Sequence, residues 1–221
     1  MRFFRRKRAA VDTTRLHEHE AVRDVVARLL AAREALAGNG GAGEARAVDP
    51  GAFLFSSLRA GQGTSTLAAA VARGLAESGR RTLLAVVGGP SGAEPVPGAV
   101  PLKDFVGGQR AVSREQPLLL TVEVPPRLTD FPESAHDPRG WLDGFQILIL
   151  DAPTVTDSLT RYWVPKVAGV VLVMDGEQNA VKAVVQARQD LERLGGRLVG
   201  VVLNRYRSRL PRWIAPYYVY G

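Results

Sequence analysis

The stretch Leu58-Arg59-Ala60-Gly61-Gln62-Gly63-Thr64-Ser65-Thr66 has the residue types of a loop that wraps around phosphate. Such a loop needs glycines, so that backbone N–H groups and the following helix N-terminus can point at negative charge. Gly61 and Gly63 supply the curvature, and Ser65 or Thr66 supplies a hydroxyl for Mg²⁺. Thr64 stands where the loop's lysine would reach the β- and γ-phosphates. A hydrogen bond to a charged group contributes about 1.5–3 kcal/mol, so its loss weakens nucleotide binding roughly ten- to a hundredfold. Phosphoryl transfer suffers more. Arg59 is the local cation that could compensate; an ordinary surface arginine is the other reading, and the sequence leaves both open.

Asp151 is the second chemical signal. It closes the apolar run Phe145-Gln146-Ile147-Leu148-Ile149-Leu150, the place of a Walker B carboxylate that holds Mg²⁺ through water. An Asp also ends strands through turn chemistry alone. The glycine loop one βαβ unit upstream favours the metal role. Asp157, in Thr154-Val155-Thr156-Asp157-Ser158, is a candidate catalytic acid or the cap of the next helix.

These residues need elements to place them. Apolar positions from Leu16 to Leu36 recur at three- and four-residue spacings, which predicts a helix over about 15–37. Gly38-Asn39-Gly40-Gly41 ends it. A Gly/Ala-rich linker over 38–51 follows, then an α/β domain over 52–210 and a tyrosine-rich tail over 211–221. Inside the domain, Ala52–Phe55, the loop, a helix over Ser65–Ser78 and the apolar run Thr82–Val87 read as strand, loop, helix, strand. The Gly- and Pro-rich middle over 88–140 predicts one short helix (Leu102–Val106) and one strand (Leu118–Val124). Gly169–Met174, a helix over Asn179–Leu194 and Leu198–Leu203 complete the pattern. The fold class is α/β: an open, mostly parallel sheet with helices on both faces. Ligands in such sheets gather at the carboxyl ends of the strands, where Gly61, Gly88, Asp151, Asp175 and Asn204 fall.

The 221 residues suit one sizeable core. There is no cysteine, which excludes disulfides and thiolate metal sites, and His17, His19 and His136 are scattered. No apolar run reaches the roughly 20 residues of a membrane-spanning helix. The basic N-terminus has no apolar stretch behind it, so no secretory signal is expected and the reading is cytoplasmic. A net charge of +7 points to an acidic partner. Arg2-Phe3-Phe4-Arg5-Arg6-Lys7-Arg8, within a basic arm over 1–14, suits an anionic membrane face or a solvated tail.

The order of these signatures resembles the cytoplasmic domain of bacterial tyrosine kinases, within the wider class of deviant P-loop ATPases that includes the MinD and ParA proteins. The resemblance runs from about Phe53 to Tyr220. It rests on Ser57–Thr66, on the helix–strand segment Gly74–Leu84, on Pro101–Gly108 and on Phe145–Pro153 with Asp157. Ala168–Met174 and Leu194–Asn204 extend it. The resemblance implies ATP or ADP with Mg²⁺ as cofactors, bound by Arg59, Gly61, Gly63, Thr64, Ser65, Thr66 and Asn204, with Asn204 approaching the adenine. It makes Ser65 and Asp151 the metal-side pair. It also makes Tyr206, Tyr217, Tyr218 and Tyr220 phosphoacceptors, although packing or docking is the favoured use of such a tail beside a damaged site.

Three departures accompany the resemblance. The loop lysine is Thr64. Both carboxylates of the segment after the second strand are missing, at Val86 and Gly88. On the N-terminal helix, Glu20, Arg23 and Arg28 resemble a ring-forming motif, but Val26 stands where its second arginine belongs. The expectation is a degenerate kinase-like subunit with weak or no ATP hydrolysis, peripheral at the inner membrane. It would regulate or scaffold an exopolysaccharide export machine through a transmembrane co-polymerase, with a homo-oligomer as a further partner and nucleic acid not expected. An active autokinase and a MinD/ParA-like positioning ATPase are the alternatives.

Overall fold

The computed structural model describes residues 13–38, 51–88, 98–106, 118–175 and 181–204. The basic arm up to residue 12, most of the linker, and Tyr206, Tyr217, Tyr218 and Tyr220 lie outside the described residues.

Helix α1 (Thr13–Gly38) stops at the glycine-rich segment that the sequence marks as its end. Strand β1 (Ala52–Ser57) is buried along its whole length, which its apolar residues permit on both faces. The glycine loop leads into α2 (Thr64–Glu77). That helix ends in a Schellman turn: Gly79, at φ 81°, donates to Ala76 O and Arg80 donates to Leu75 O. Strand β2 (Thr82–Val87) follows within a few residues. Next come β3 (Val100–Pro101), α3 (Leu102–Val106) and β4 (Leu119–Val124). Three short 3₁₀ turns, Leu128–Asp130, Glu133–Ala135 and Pro138–Leu142, then lead to β5 (Ile147–Thr154). The remainder is α4 (Ser158–Trp163), β6 (Gly169–Asp175), α5 (Val181–Arg193) and β7 (Leu198–Asn204).

The strands form one seven-stranded sheet in the order β3-β4-β2-β5-β1-β6-β7. Every pairing is parallel. The order reverses direction at β1, between β5 and β6, which puts the loop after β1 at a switch point. Alternate residues feed two cores. Phe53, Phe55, Leu84, Ile147, Ile149 and Val171 pack against α2 and, through Val26 and Leu29, against α1. Leu54, Leu83, Ala85, Leu148 and Leu150 pack on the other face with Trp141, Trp163 and Leu191.

Two expectations are corrected. β5 does not end at Asp151 but runs on to Thr154. Its pairing with β1 continues through Phe55↔Asp151 and Ser57↔Thr154, and the Ser56 hydroxyl donates to Pro153 O. The middle region also holds more than one helix and one strand. Its 3₁₀ turns bring Phe131 and Trp141 onto Trp163, with ring centroids 5.8 and 5.0 Å away. This aromatic cluster closes the second core.

Candidate functional site: the loop after β1

The loop's curvature comes from two left-handed glycines, Gly61 at φ 79° and Gly63 at φ 86°. Gly63 is the N-cap of α2 and brings no capping side chain, so the first-turn N–H groups face the loop without a side-chain cap. The loop is braced from within. Gln62 is buried, and its side-chain oxygen accepts from the backbone N–H of Leu58 and of Arg59, each at 3.1 Å. The Ser57 hydroxyl donates to Arg59 O at 2.8 Å. Sequence reasoning passed over Gln62, although a polar side chain flanked by two left-handed glycines was the available signal.

From the far side, Asn204 at the end of β7 donates through Nδ2 to Gln62 O at 2.9 Å. A Cβ at Gly63 would come within 2.1 Å of that same nitrogen. Asn204 therefore touches the loop backbone itself, and Gly63 is required both by φ and by this close approach.

On the metal side, the Ser65 hydroxyl donates to the Asp151 carboxylate. Asp151 is 5% exposed, and burial pushes its carboxyl up to about 6, with the Ser65 hydrogen bond pulling the other way. One hydroxyl and one buried carboxylate at the mouth of a loop with unused N–H groups suit Mg²⁺ bound together with phosphate. That ion takes one or two carboxylates and completes its shell with phosphate oxygens and water. Among the described residues, no group of three His, Cys, Asp or Glu side chains is placed to hold a metal without such a ligand.

Thr64 occupies the lysine position with a buried side chain whose hydroxyl has no hydrogen-bond partner among the described residues. It brings no charge to the loop. Arg59 and Thr66 are exposed. Of the two roles open to Asp157, the structure shows the cap: it is the N-cap of α4 and accepts from Leu159 N at 2.8 Å. The two positions that lack acids, Val86 within β2 and Gly88 just after it, have different surroundings. Val86 pairs with Asp151 across β2 and β5. Gly88 adopts φ 62°, and a Cβ there would meet Leu159 Cδ1 at 2.8 Å and Pro153 Cγ at 3.6 Å. Apolar groups fill the space that a side chain at 88 would need.

No family model matches the sequence, and no curated protein matches it. Solved structures do. The chain is similar to the BceF tyrosine kinase domain at 20% identity and a TM-score of 0.58, over 84% of this chain and 76% of that one. It is similar to the VpsO kinase domain at 20% identity and a TM-score of 0.57, over 90% of this chain and all of that one. The fold is that of the bacterial tyrosine kinase domains. The same fold extends to cobyrinic acid a,c-diamide synthase from Mycobacterium smegmatis, solved with an ATP analogue and magnesium, at 19% identity and a TM-score of 0.53, over 76% of this chain and 82% of that one. Within this fold, Val26 is a core residue: it is 9% exposed and packs against α2 at Gly74, where a Cβ would lie 3.3 Å from its methyl.

Proposed function

We propose that the chain is a degenerate, tyrosine-kinase-like subunit that holds a Mg-nucleotide in the loop after β1 and transfers its γ-phosphate weakly or not at all. The observation that carries this reading is the pairing of kept and lost groups on one loop. Ser65 and Asp151 are hydrogen-bonded as a metal-side pair, while Thr64 brings a buried hydroxyl in place of a cation. Nucleotide is thus held by backbone N–H groups and metal, and the charge that develops on the transferring phosphoryl group meets no fixed lysine.

In this reading the subunit regulates or scaffolds an exopolysaccharide or capsule export machine by binding a transmembrane co-polymerase. The resemblance to bacterial tyrosine kinases supports that context. The cations of residues 2–8 would add attraction to an anionic inner-membrane surface. Among the described residues no helix is long and apolar enough to cross a membrane.

Calorimetric titration with ATP and Mg²⁺, paired with transfer of labelled γ-phosphate, tests the proposal. Weak binding without labelling of Tyr206, Tyr217, Tyr218 or Tyr220 is expected. Micromolar binding together with labelled tail tyrosines would establish an active autokinase instead.

A further inference from the structure

The strand register sets Glu123, Val86 and Asp151 in one row across β4, β2 and β5. All three belong to the sheet face that carries α2. On β4, Leu120, Val122 and Val124 fill the opposite core, so Leu119, Thr121 and Glu123 share the α2 face. On β5, Ile147 and Ile149 lie on this face two and four residues before Asp151. Neighbouring strands are about 4.8 Å apart, so the Glu123 and Asp151 backbones are separated by about 10 Å with only Val86 between them.

Glu123 is part-buried, and among the described residues it makes no hydrogen bond or ion pair. Glu is disfavoured in strands, so strand propensity gives no reason for this residue type here. A second observation is independent of the carboxylates. The Thr64 hydroxyl, at the start of α2 beside Ser65, belongs to a side chain only 8% exposed and has no partner among the described residues. Two polar groups at this end of the sheet therefore lack partners that a bound ligand would supply.

We propose that Glu123 replaces, from the adjacent strand, the carboxylate that Val86 lacks, and that it helps hold the hydrated metal of a bound nucleotide. The proposal rests on the nucleotide reading above. Mg²⁺ dehydrates reluctantly and keeps several waters, so a carboxylate one strand further from Asp151 can act through its water shell. The consequence is a site rebuilt on its metal side and unrepaired on its γ-phosphate side, which suits holding nucleotide over consuming it.

The experiment is an electron-paramagnetic titration of Mn²⁺ against the full chain with ADP, together with calorimetry of ADP alone. Glu123→Gln is expected to weaken Mn²⁺ binding in the presence of ADP by fivefold or more while leaving metal-free ADP affinity unchanged. Glu123→Asp should recover part of the loss, and so should Val86→Asp placed in the Glu123→Gln background. If Glu123→Gln binds Mn²⁺ and ADP as the wild type does, or weakens metal-free ADP equally, this proposal is overturned and the nucleotide reading stands. If the wild type binds ADP neither with nor without Mn²⁺, the nucleotide reading is overturned and this proposal with it.

Discussion

Asp151 couples the site to pH. Its carboxyl is pushed up to about 6 by burial, so the folded chain holds a proton that the unfolded chain releases near 4. Between those values the native state binds more protons, and stability falls as pH rises from about 4 to about 6, then levels off. The shift corresponds to at most about 3 kcal/mol. Thermal melts across pH 4–8 without metal should show this fall in the wild type, and Asp151→Asn should flatten it. Mg²⁺ needs the ionised form, so its affinity should rise as pH passes 6. Thr64 makes a separate prediction. Thr64→Lys should tighten ATP binding by roughly ten- to a hundredfold, the value of a hydrogen bond to charge, as read by calorimetry. An unchanged affinity would mean that the loop does not present that position to phosphate. Thr64 was legible as a departure from the sequence alone. The burial of its hydroxyl was not, because burial depends on what packs over the first turn of α2.

At the scale of elements, the legible parts were those with strong local rules. Thr82–Val87 is a continuous apolar run bounded by turn residues and forms β2 over those same bounds. The helix after the loop ends with Gly79 at its left-handed position, as its place in the sequence indicates. β5 ran past its expected end because the pairing of Ser57 with Thr154 is a long-range contact, and local turn chemistry at Asp151 did not reveal it. The turns that carry Phe131 and Trp141 are too short to show periodicity; aromatics within a Pro-rich segment were their only trace. Glu123 carried no signal until the register placed it beside Val86. The loop makes the element-scale prediction, because β7 and α2 meet through it. Gly63→Ala meets both the left-handed φ, at about 1–2 kcal/mol, and Asn204 Nδ2 at 2.1 Å. It should lower the denaturation midpoint by more than the φ cost alone. Adding Asn204→Ala should return the steric part and leave the φ part, a double-mutant cycle that separates the two.

Across the whole molecule, one sheet serves two cores. β1 and β5 lie centrally and contribute Phe53 and Ile149 to one face, Leu54 and Leu150 to the other. Damage on either face therefore reaches the same strands. Leu75→Ala removes a fully buried side chain on the α2 face, and Trp163→Ala removes one from the aromatic cluster opposite. Truncations of this kind cost about 2–5 kcal/mol each. If the sheet unites the cores, each variant should unfold in one denaturant transition, with a lower midpoint and the wild-type slope. Two transitions, or a slope that changes with the face attacked, would show that the cores open separately. α1 is expected to behave differently. Among its described residues only Val26 and Leu29 are buried: Val26 packs on α2 at Gly74, and Leu29 lines a groove with Val171 and Val199 toward the edge of the sheet. Few buried apolar contacts define the low-stability end of a fold. Native-state hydrogen exchange should accordingly open α1 at a lower free energy than β1 and β5, and Val26→Asp should release α1 while the main transition shifts little. Nucleotide bound at the loop raises only the openings that dismantle the loop. Mg-ADP should then protect β1, α2 and β5 together and leave α1 exchange unchanged, which ties the site to the sheet and separates it from the helix that precedes it.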